Sequence, residues 1–138
     1  MNIDKDTLHT LIASKLTLAG LSADYAAVMA DVLVFAEARG IHSHGTVRVE
    51  YYSERIQKGG ITLHPEIRVE TTGPCSAILH GDNGPGMVLS KQAMEVAIDM
   101  AKDKGIAVVG IKNMSHSGAI SYYTQMAAEA GLIGLAMC

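Results

Sequence analysis

The spacing of hydrophobic residues in this 138-residue chain changes at His64-Pro65. Before that point, apolar side chains recur every three to four residues, which is the period of an α-helix with one buried face. After it, they alternate with period two or form continuous runs, as strands do. The change predicts a mixed α/β protein with a helical segment over residues 1–64 and an α/β domain that starts at residue 65 and is cut off at residue 138.

The first part is predicted to contain three short helices that end at glycines. Their predicted starts and ends are Asp4 or Asp6 to Gly20, Ser22 to Gly40, and Thr46 to Gly59-Gly60. Their predicted buried faces comprise Leu8, Leu11, Ile12, Leu16 and Ala19, then Tyr25, Met29, Val32, Leu33 and Ala36, and finally Val47, Tyr51 and Ile56. Together they predict a helical layer.

The second part is predicted to begin with a hairpin. Residues 66–70 alternate as in a strand exposed on one face, and residues 75–80 form a second strand after the turn signal at 71–74. The glycine-rich stretch 81–86 is interpreted as a tight connection, because its spacing matches neither a phosphate-binding Walker loop nor a dinucleotide fingerprint.

A helix over residues 87–104 follows, with a predicted buried stripe of Val88, Met94, Ala97, Ile98 and Ala101. The continuous apolar run 106–111 predicts a strand covered on both faces, and a helix over 118–130 leads to a final strand over 131–138. Residues 106–138 therefore predict a βαβ unit. Because a buried strand needs a neighbour, we expect the sequence to be the front portion of a longer protein.

Charge and composition limit the possible partners. A net charge of -3 and a pI near 6.0, without a run of Lys or Arg, disfavour nucleic acid as a ligand. No apolar run is long enough to cross a membrane, and the polar N-terminus does not resemble a signal peptide, so a cytoplasmic protein is expected. Cys75 and Cys138 lack metal-ligand spacing and are expected to be free thiols.

Two segments carry reactive side chains. The joint Arg39–Arg48 lies between predicted helices, and the loop Asn113–Gly118 follows a strand, where ligands of α/β proteins bind. His116 is a candidate base, although it could instead cap a helix or bond to the backbone. His44 is a second candidate, and Arg48 could bind a carboxylate. A metal site formed by His42 and His44 is not expected, because no further ligand completes it.

A base and a carboxylate-binding cation suit the oxidation of a 2-hydroxy acid, with a cofactor as hydride acceptor. Two alternatives stay open: a non-catalytic fragment or interaction module, and a metal-dependent hydrolase.

The chain resembles the second type of malate and L-lactate dehydrogenases. The likeness is carried by Ala38-Arg39-Gly40-Ile41-His42-Ser43-His44-Gly45 with Arg48, by Asp82-Asn83-Gly84-Pro85-Gly86, and by Asn113-Met114-Ser115-His116-Ser117-Gly118-Ala119.

This resemblance implies a non-Rossmann, mixed-sheet fold of the L-sulfolactate and malate dehydrogenase type, in a cytosolic homodimer that binds NAD or NADP. It implies catalytic roles for His116 and His44, substrate binding by Arg48 and Ser43, and cofactor contacts from Ser117, Gly118 and His44. Over residues 48–52, 72–80 and 116–122 the chain is most similar to the ureidoglycolate dehydrogenases of allantoin degradation. A malate- or lactate-type substrate is the alternative within the family.

Overall fold

The computed structural model describes residues 3–138, which form two compact units that divide between Leu63 and His64. The first unit contains α1 (Lys5–Leu18), α2 (Ala23–Ala38), two 3-10 turns (His42–His44 and Thr46–Arg48) and α3 (Val49–Gln57). The second contains β1 (Arg68–Gly73), β2 (Ser76–Gly84), α4 (Gly86–Lys104), β3 (Val108–Met114) and α5 (Ser121–Glu129). None of these helices combines the length and apolar character needed to span a bilayer.

Side-chain caps start the first two helices where the sequence predicts them. The Asp4 carboxylate accepts a hydrogen bond from the Thr7 amide at 2.9 Å, and the Ser22 hydroxyl accepts one from the Tyr25 amide at 3.3 Å. Each cap satisfies an amide that has no partner within its helix. α1 and α2 pack against each other and bury Ile12, Leu16, Met29, Val32 and Leu33.

The third helix differs from its prediction. The chain from Thr46 to Arg48 forms a 3-10 turn, and the α-helical pattern begins only at Val49. The rotation this introduces places Tyr52 in the core at 1% exposure, whereas the predicted core residues Val47 and Tyr51 are 69% and 41% exposed. Leu11 of α1 was also assigned to the core but is exposed, because neighbouring helices cover only the face that carries Ile12 and Leu16.

The second unit is built on a three-stranded mixed sheet with the order β1-β2-β3. The predicted hairpin is present, since β1 pairs antiparallel with β2. β2 pairs parallel with β3, so the parallel βαβ unit is β2-α4-β3. α4 packs on β2 and β3, and its first half is buried with Leu89 and Ala93 against Leu79. A mixed α/β fold is thus confirmed.

Three strand predictions were wrong. β2 continues through the predicted loop to Gly84, because Asp82 and Asn83 take left-handed backbone angles (φ 47° and 54°) that bulge the strand without ending it. β3 alternates between exposed and half-buried residues, since α4 covers only one of its faces. Residues 133–138 adopt no strand, because a strand requires a paired neighbour and they have none within residues 3–138.

The predicted stripe of α4 is also shifted. Val88 is buried as expected, but the buried residues end at Ala93, and the four predicted positions further along the helix are half-buried. The sheet is short, so only the first turns of a 19-residue helix lie over it. The helix nevertheless ends as predicted at Gly105, which takes a left-handed φ of 82°.

Candidate active site

The predicted site residues fall into two groups. His42, Ser43, His44 and Arg48 lie in the joint between α2 and α3, within the first unit. His116, Ser117 and Gly118 follow β3, within the second unit.

The joint is a pair of 3-10 turns with Gly45 between them. Gly45 has a φ of -97°, so a left-handed backbone conformation is not the reason for a glycine here. A side-chain carbon at this position would lie 3.2 Å from both Cα and Cβ of Glu37 and would overlap its carboxylate. Gly45 is therefore required for close approach of α2 to the joint.

Glu37, at the end of α2, bonds to both turns of this joint. Its Oε2 accepts hydrogen bonds from the Thr46 amide and the Thr46 hydroxyl, both at 2.8 Å, and its Oε1 lies 2.6 Å from His42 Nδ1. The two bonds from Thr46, followed by His42, lower the pKa of the Glu37 carboxyl. This carboxylate is ionised near neutral pH and links the two turns.

Sequence reasoning missed Glu37, although a signal was present. A carboxylate in the last turn of a helix is disfavoured by the negative end of the helix dipole. Its presence at the end of α2 therefore requires another partner.

Arg48 is held against the first 3-10 turn. Its Nε donates to the Ser43 carbonyl at 2.8 Å, and its guanidinium carbon lies 5.7 Å from the centre of the Tyr51 ring. Ser43 Oγ and His44 Nδ1 are 3.0 Å apart, which is hydrogen-bond distance. Ser43 is exposed, and His44 and Arg48 are half-buried, so the three polar groups lie together at the surface of the joint.

In the second unit, the ends of two parallel strands are joined by Ser115. The Ser115 amide and hydroxyl both donate to the Gly84 carbonyl, at 3.2 and 3.0 Å, and the Ser115 hydroxyl accepts from the Gly86 amide at 2.8 Å. The Ser115 hydroxyl thus satisfies the first amide of α4, the helix before it in the chain. The loop after β3 is thereby fixed to β2 and α4.

Gly86 lets the same loop approach α4. A side-chain carbon at this position would lie 2.5 Å from the His116 carbonyl oxygen, 2.7 Å from the His116 carbonyl carbon, and closer still to the Ser115 oxygen. All of these are backbone atoms that cannot rotate away. The backbone carrying His116 is consequently held directly against the first turn of α4.

His116 is exposed at this position. Its Nδ1 accepts a hydrogen bond of 3.2 Å from the Gly118 amide, and Gly118 takes a left-handed φ of 71°. Since an accepting ring nitrogen carries no hydrogen, the neutral ring has its proton on Nε2. The alternative function considered for His116, a hydrogen bond to backbone, is thus present, and it also fixes the ring tautomer.

Ser117 lies inside the loop. It is 6% exposed, and the Tyr123 hydroxyl of α5 donates to its carbonyl oxygen at 2.5 Å. Tyr123 is itself buried and was not singled out from the sequence. The hydrogen bond fixes the end of the His116 loop to α5, as Ser115 fixes its start to α4.

His80 lies on the sheet, in β2. Its Nε2 is 2.8 Å from Oε2 of Glu70 on the neighbouring strand, and this contact lowers the pKa of the Glu70 carboxyl. His80 also lines a shallow polar hollow together with Glu66, Asp82, Lys112 and Asn113. Within residues 3–138, no group of three or more His, Cys, Asp or Glu side chains is arranged to hold a metal ion.

The sequence matches the family model described as malate/L-lactate dehydrogenase over residues 3–138. The chain belongs to this family. It is 62% identical over all 138 residues to "Ureidoglycolate dehydrogenase (NAD(+))" of Escherichia coli strains O157:H7 and K12. The chain spans 40% of the length of these relatives.

Solved structures give the same result. Malate dehydrogenase from Pyrococcus horikoshii OT3 superimposes with a TM-score of 0.91 at 43% identity, over 95% of this chain and 38% of that one. Sulfolactate dehydrogenase from Methanocaldococcus jannaschii superimposes with a TM-score of 0.88 at 35% identity, over 94% and 38% of the two chains. The relatives named above are hydroxy-acid dehydrogenases, and this chain shares the mixed α/β fold of their solved structures.

Proposed function

We propose that the protein containing this chain is a cytoplasmic, homodimeric dehydrogenase that oxidises (S)-ureidoglycolate to oxalurate in allantoin degradation. The 62% identity to ureidoglycolate dehydrogenases supports this substrate over malate, because the malate dehydrogenase of Pyrococcus horikoshii is only 43% identical. The structural observation that carries the proposal is the exposed imidazole of His116, held by its backbone at the ends of two parallel strands.

The joint in the first unit supplies the chemistry for holding the substrate. A 2-hydroxy acid carries a carboxylate, and a guanidinium binds a carboxylate through charge-assisted hydrogen bonds. Arg48 is restrained by its bond to the Ser43 carbonyl, so little side-chain freedom is lost on binding. Ser43 and His44 add a hydroxyl and an imidazole beside it. Ser43 is assigned to substrate binding, and His44 to catalysis and to a cofactor contact.

His116 is assigned to proton transfer, with His44 as the second candidate. Oxidation breaks the O–H and C–H bonds of the secondary alcohol: the proton goes to the imidazole and the hydride leaves the carbon. The unprotonated ring nitrogen is Nδ1, which accepts the Gly118 amide bond. At 3.2 Å this hydrogen bond is long. Because Nδ1 already accepts this bond, the substrate hydroxyl must replace the Gly118 amide before Nδ1 can accept the proton.

The hydride acceptor is NAD or NADP, and NAD is favoured because the names of the similar ureidoglycolate dehydrogenases specify NAD(+). The cofactor contacts predicted for Ser117, Gly118 and His44 stay predictions. Ser117 and Gly118 are buried among the described residues, and His44 is half-buried.

The test is NADH formation by the purified protein containing this sequence, with ureidoglycolate, malate, lactate and sulfolactate offered in turn. We expect the highest kcat/KM with ureidoglycolate and a fall in kcat of about 100-fold or more in His116→Ala. His64→Ala changes an exposed histidine as the control. Full activity of His116→Ala would reject its role, and no NAD reduction with any of the four acids would reject the proposed function.

The alternative is a non-catalytic interaction module. It is favoured by one observation: Ile133, Leu135 and Met137 are 84–96% exposed on a segment without regular structure. Titration with NAD separates the two proposals. Saturable binding of NAD supports the dehydrogenase, whereas self-association that rises with concentration, without NAD binding, supports the module.

A further inference from the structure

The Glu37 carboxylate bonds to residues on both sides of Gly45. On one side it binds His42 of the first 3-10 turn, and on the other it binds the amide and hydroxyl of Thr46 at the start of the second. The Glu37 side chain is 26% exposed, so water competes only in part for these bonds. One carboxylate therefore fixes both turns of the joint relative to the end of α2.

The Thr46 amide has a particular importance. Thr46 is the first residue of a helical run that continues through Arg48 into α3, and an N-terminal helical amide normally bonds to a side chain of the capping residue. Gly45 occupies the capping position and has no side chain to offer. Glu37 supplies the missing acceptor, and its negative charge also favours the positive end of the helical run.

Arg48 depends on both turns. Its backbone amide bonds to the Gly45 carbonyl at 3.0 Å, while its Nε bonds to the Ser43 carbonyl in the first turn at 2.8 Å. A change in the angle between the turns would thus displace the guanidinium relative to its own backbone. The joint contains no buried apolar side chain of its own to hold that angle.

We propose that Glu37 is a positioning residue, which sets the orientation of Arg48 and thereby the affinity for the carboxylate of the 2-hydroxy acid. It acts through Thr46 and Gly45 and does not contact the substrate. The proposal rests on the function proposed above for Arg48. A residue with a merely structural role would instead change the fraction of folded protein and leave KM as it is.

A pair of variants distinguishes geometry from charge. Glu37→Gln retains an amide oxygen that can accept from Thr46 and an amide group that can donate to His42, so it preserves the joint without the charge. Glu37→Ala removes every bond. Glu54→Ala is the matched control, since Glu54 is an exposed acid of the same unit whose partner is Lys58 at the end of its own helix.

Steady-state kinetics of the protein containing this sequence provide the first measurement. In Glu37→Ala we expect KM for the 2-hydroxy acid to rise about tenfold or more, while kcat stays within about threefold and KM for NAD is unchanged. Glu37→Gln should recover most of the lost affinity. Wild-type KM in a folded Glu37→Ala protein would overturn the proposal, as would an equal rise in Glu54→Ala.

Amide hydrogen exchange provides a second measurement that needs no activity. The Thr46 amide is expected to exchange about tenfold faster or more in Glu37→Ala, and near the wild-type rate in Glu37→Gln. If the wild-type protein oxidises none of the acids, the proposed function fails, and exchange still tests whether Glu37 orders the joint. An unchanged Thr46 rate would overturn the inference independently.

Discussion

Gly86→Ala is the most direct test of how the His116 loop is positioned. The substitution adds one methyl group to the first residue of α4, where it meets the carbonyl groups of Ser115 and His116. A side-chain carbon almost never lies within about 3.0 Å of such atoms, and the His116 oxygen would be at 2.5 Å. The His116 backbone must therefore retreat by at least about 0.5 Å.

The size of the effect follows from two opposing terms. Overpacking against backbone costs about 1–3 kcal/mol, whereas alanine favours a helix over glycine by at most about 1 kcal/mol. The net result is a loss of roughly 1–2 kcal/mol in the free energy of unfolding. A catalytic group displaced by 0.5–1 Å loses roughly ten- to a hundredfold in rate, so kcat should fall more than the stability change alone explains.

Urea unfolding and steady-state kinetics measure the two effects. Gly110→Ala is the matched control, because Gly110 lies in β3 of the same unit and a side-chain carbon there would meet nothing within 4 Å. We expect the control to be as stable as the wild type or up to about 1 kcal/mol more stable, and to retain wild-type kcat. If Gly86→Ala behaves like Gly110→Ala in both assays, the close approach of loop and helix does not position His116.

Two further predictions concern the hydroxyl groups of Tyr52 and Ser115. Burial raises the pKa of the Tyr52 hydroxyl from 10.0 to about 12, so between these pH values the unfolded state loses its proton first and stability falls as pH rises. Tyr52→Phe should abolish this decrease, which amounts to up to roughly 2–3 kcal/mol in the free energy of unfolding. The free energy measured by urea unfolding should then depend less on pH in the variant, and the same pH dependence as in the wild type would contradict the prediction. Ser115→Ala removes the hydroxyl that bonds to Gly84 and Gly86 and should destabilise the chain by about 1–2 kcal/mol in urea unfolding, whereas a change below about 0.5 kcal/mol would show that water replaces it.

Features fixed by local sequence were predicted well. The caps at Asp4 and Ser22 and the left-handed end of α4 at Gly105 each depend on residues within four positions of one another. The placement of His116 after a strand was also correct, since a strand end and a helix start are both visible in the sequence. Such features need no knowledge of what packs against them.

Features set by distant segments were missed. Whether an apolar strand is covered on one face or two depends on how many layers pack against it. The sequence of β3 alone does not reveal that number. β2 continues beyond its apparent end because β3 offers a partner at Met114 for Gly84, across a bulge. Asp82 was interpreted as a loop residue because its usual environment is a turn, and in this chain the same left-handed preference forms the bulge.

Gly45, within the first candidate site segment, and Gly86, packed against the second, show most clearly what the sequence alone does not predict. From sequence, Gly45 suggests backbone freedom, yet neither Gly45 nor Gly86 takes a positive φ. Each is small because another segment occupies the space of its side chain: the Glu37 carboxylate at Gly45, and the His116 backbone at Gly86. A glycine beside a candidate catalytic group therefore has two physical explanations, and only the second identifies the partner that positions the group. For Gly45 that partner is Glu37, a residue that lies outside every motif identified in the sequence.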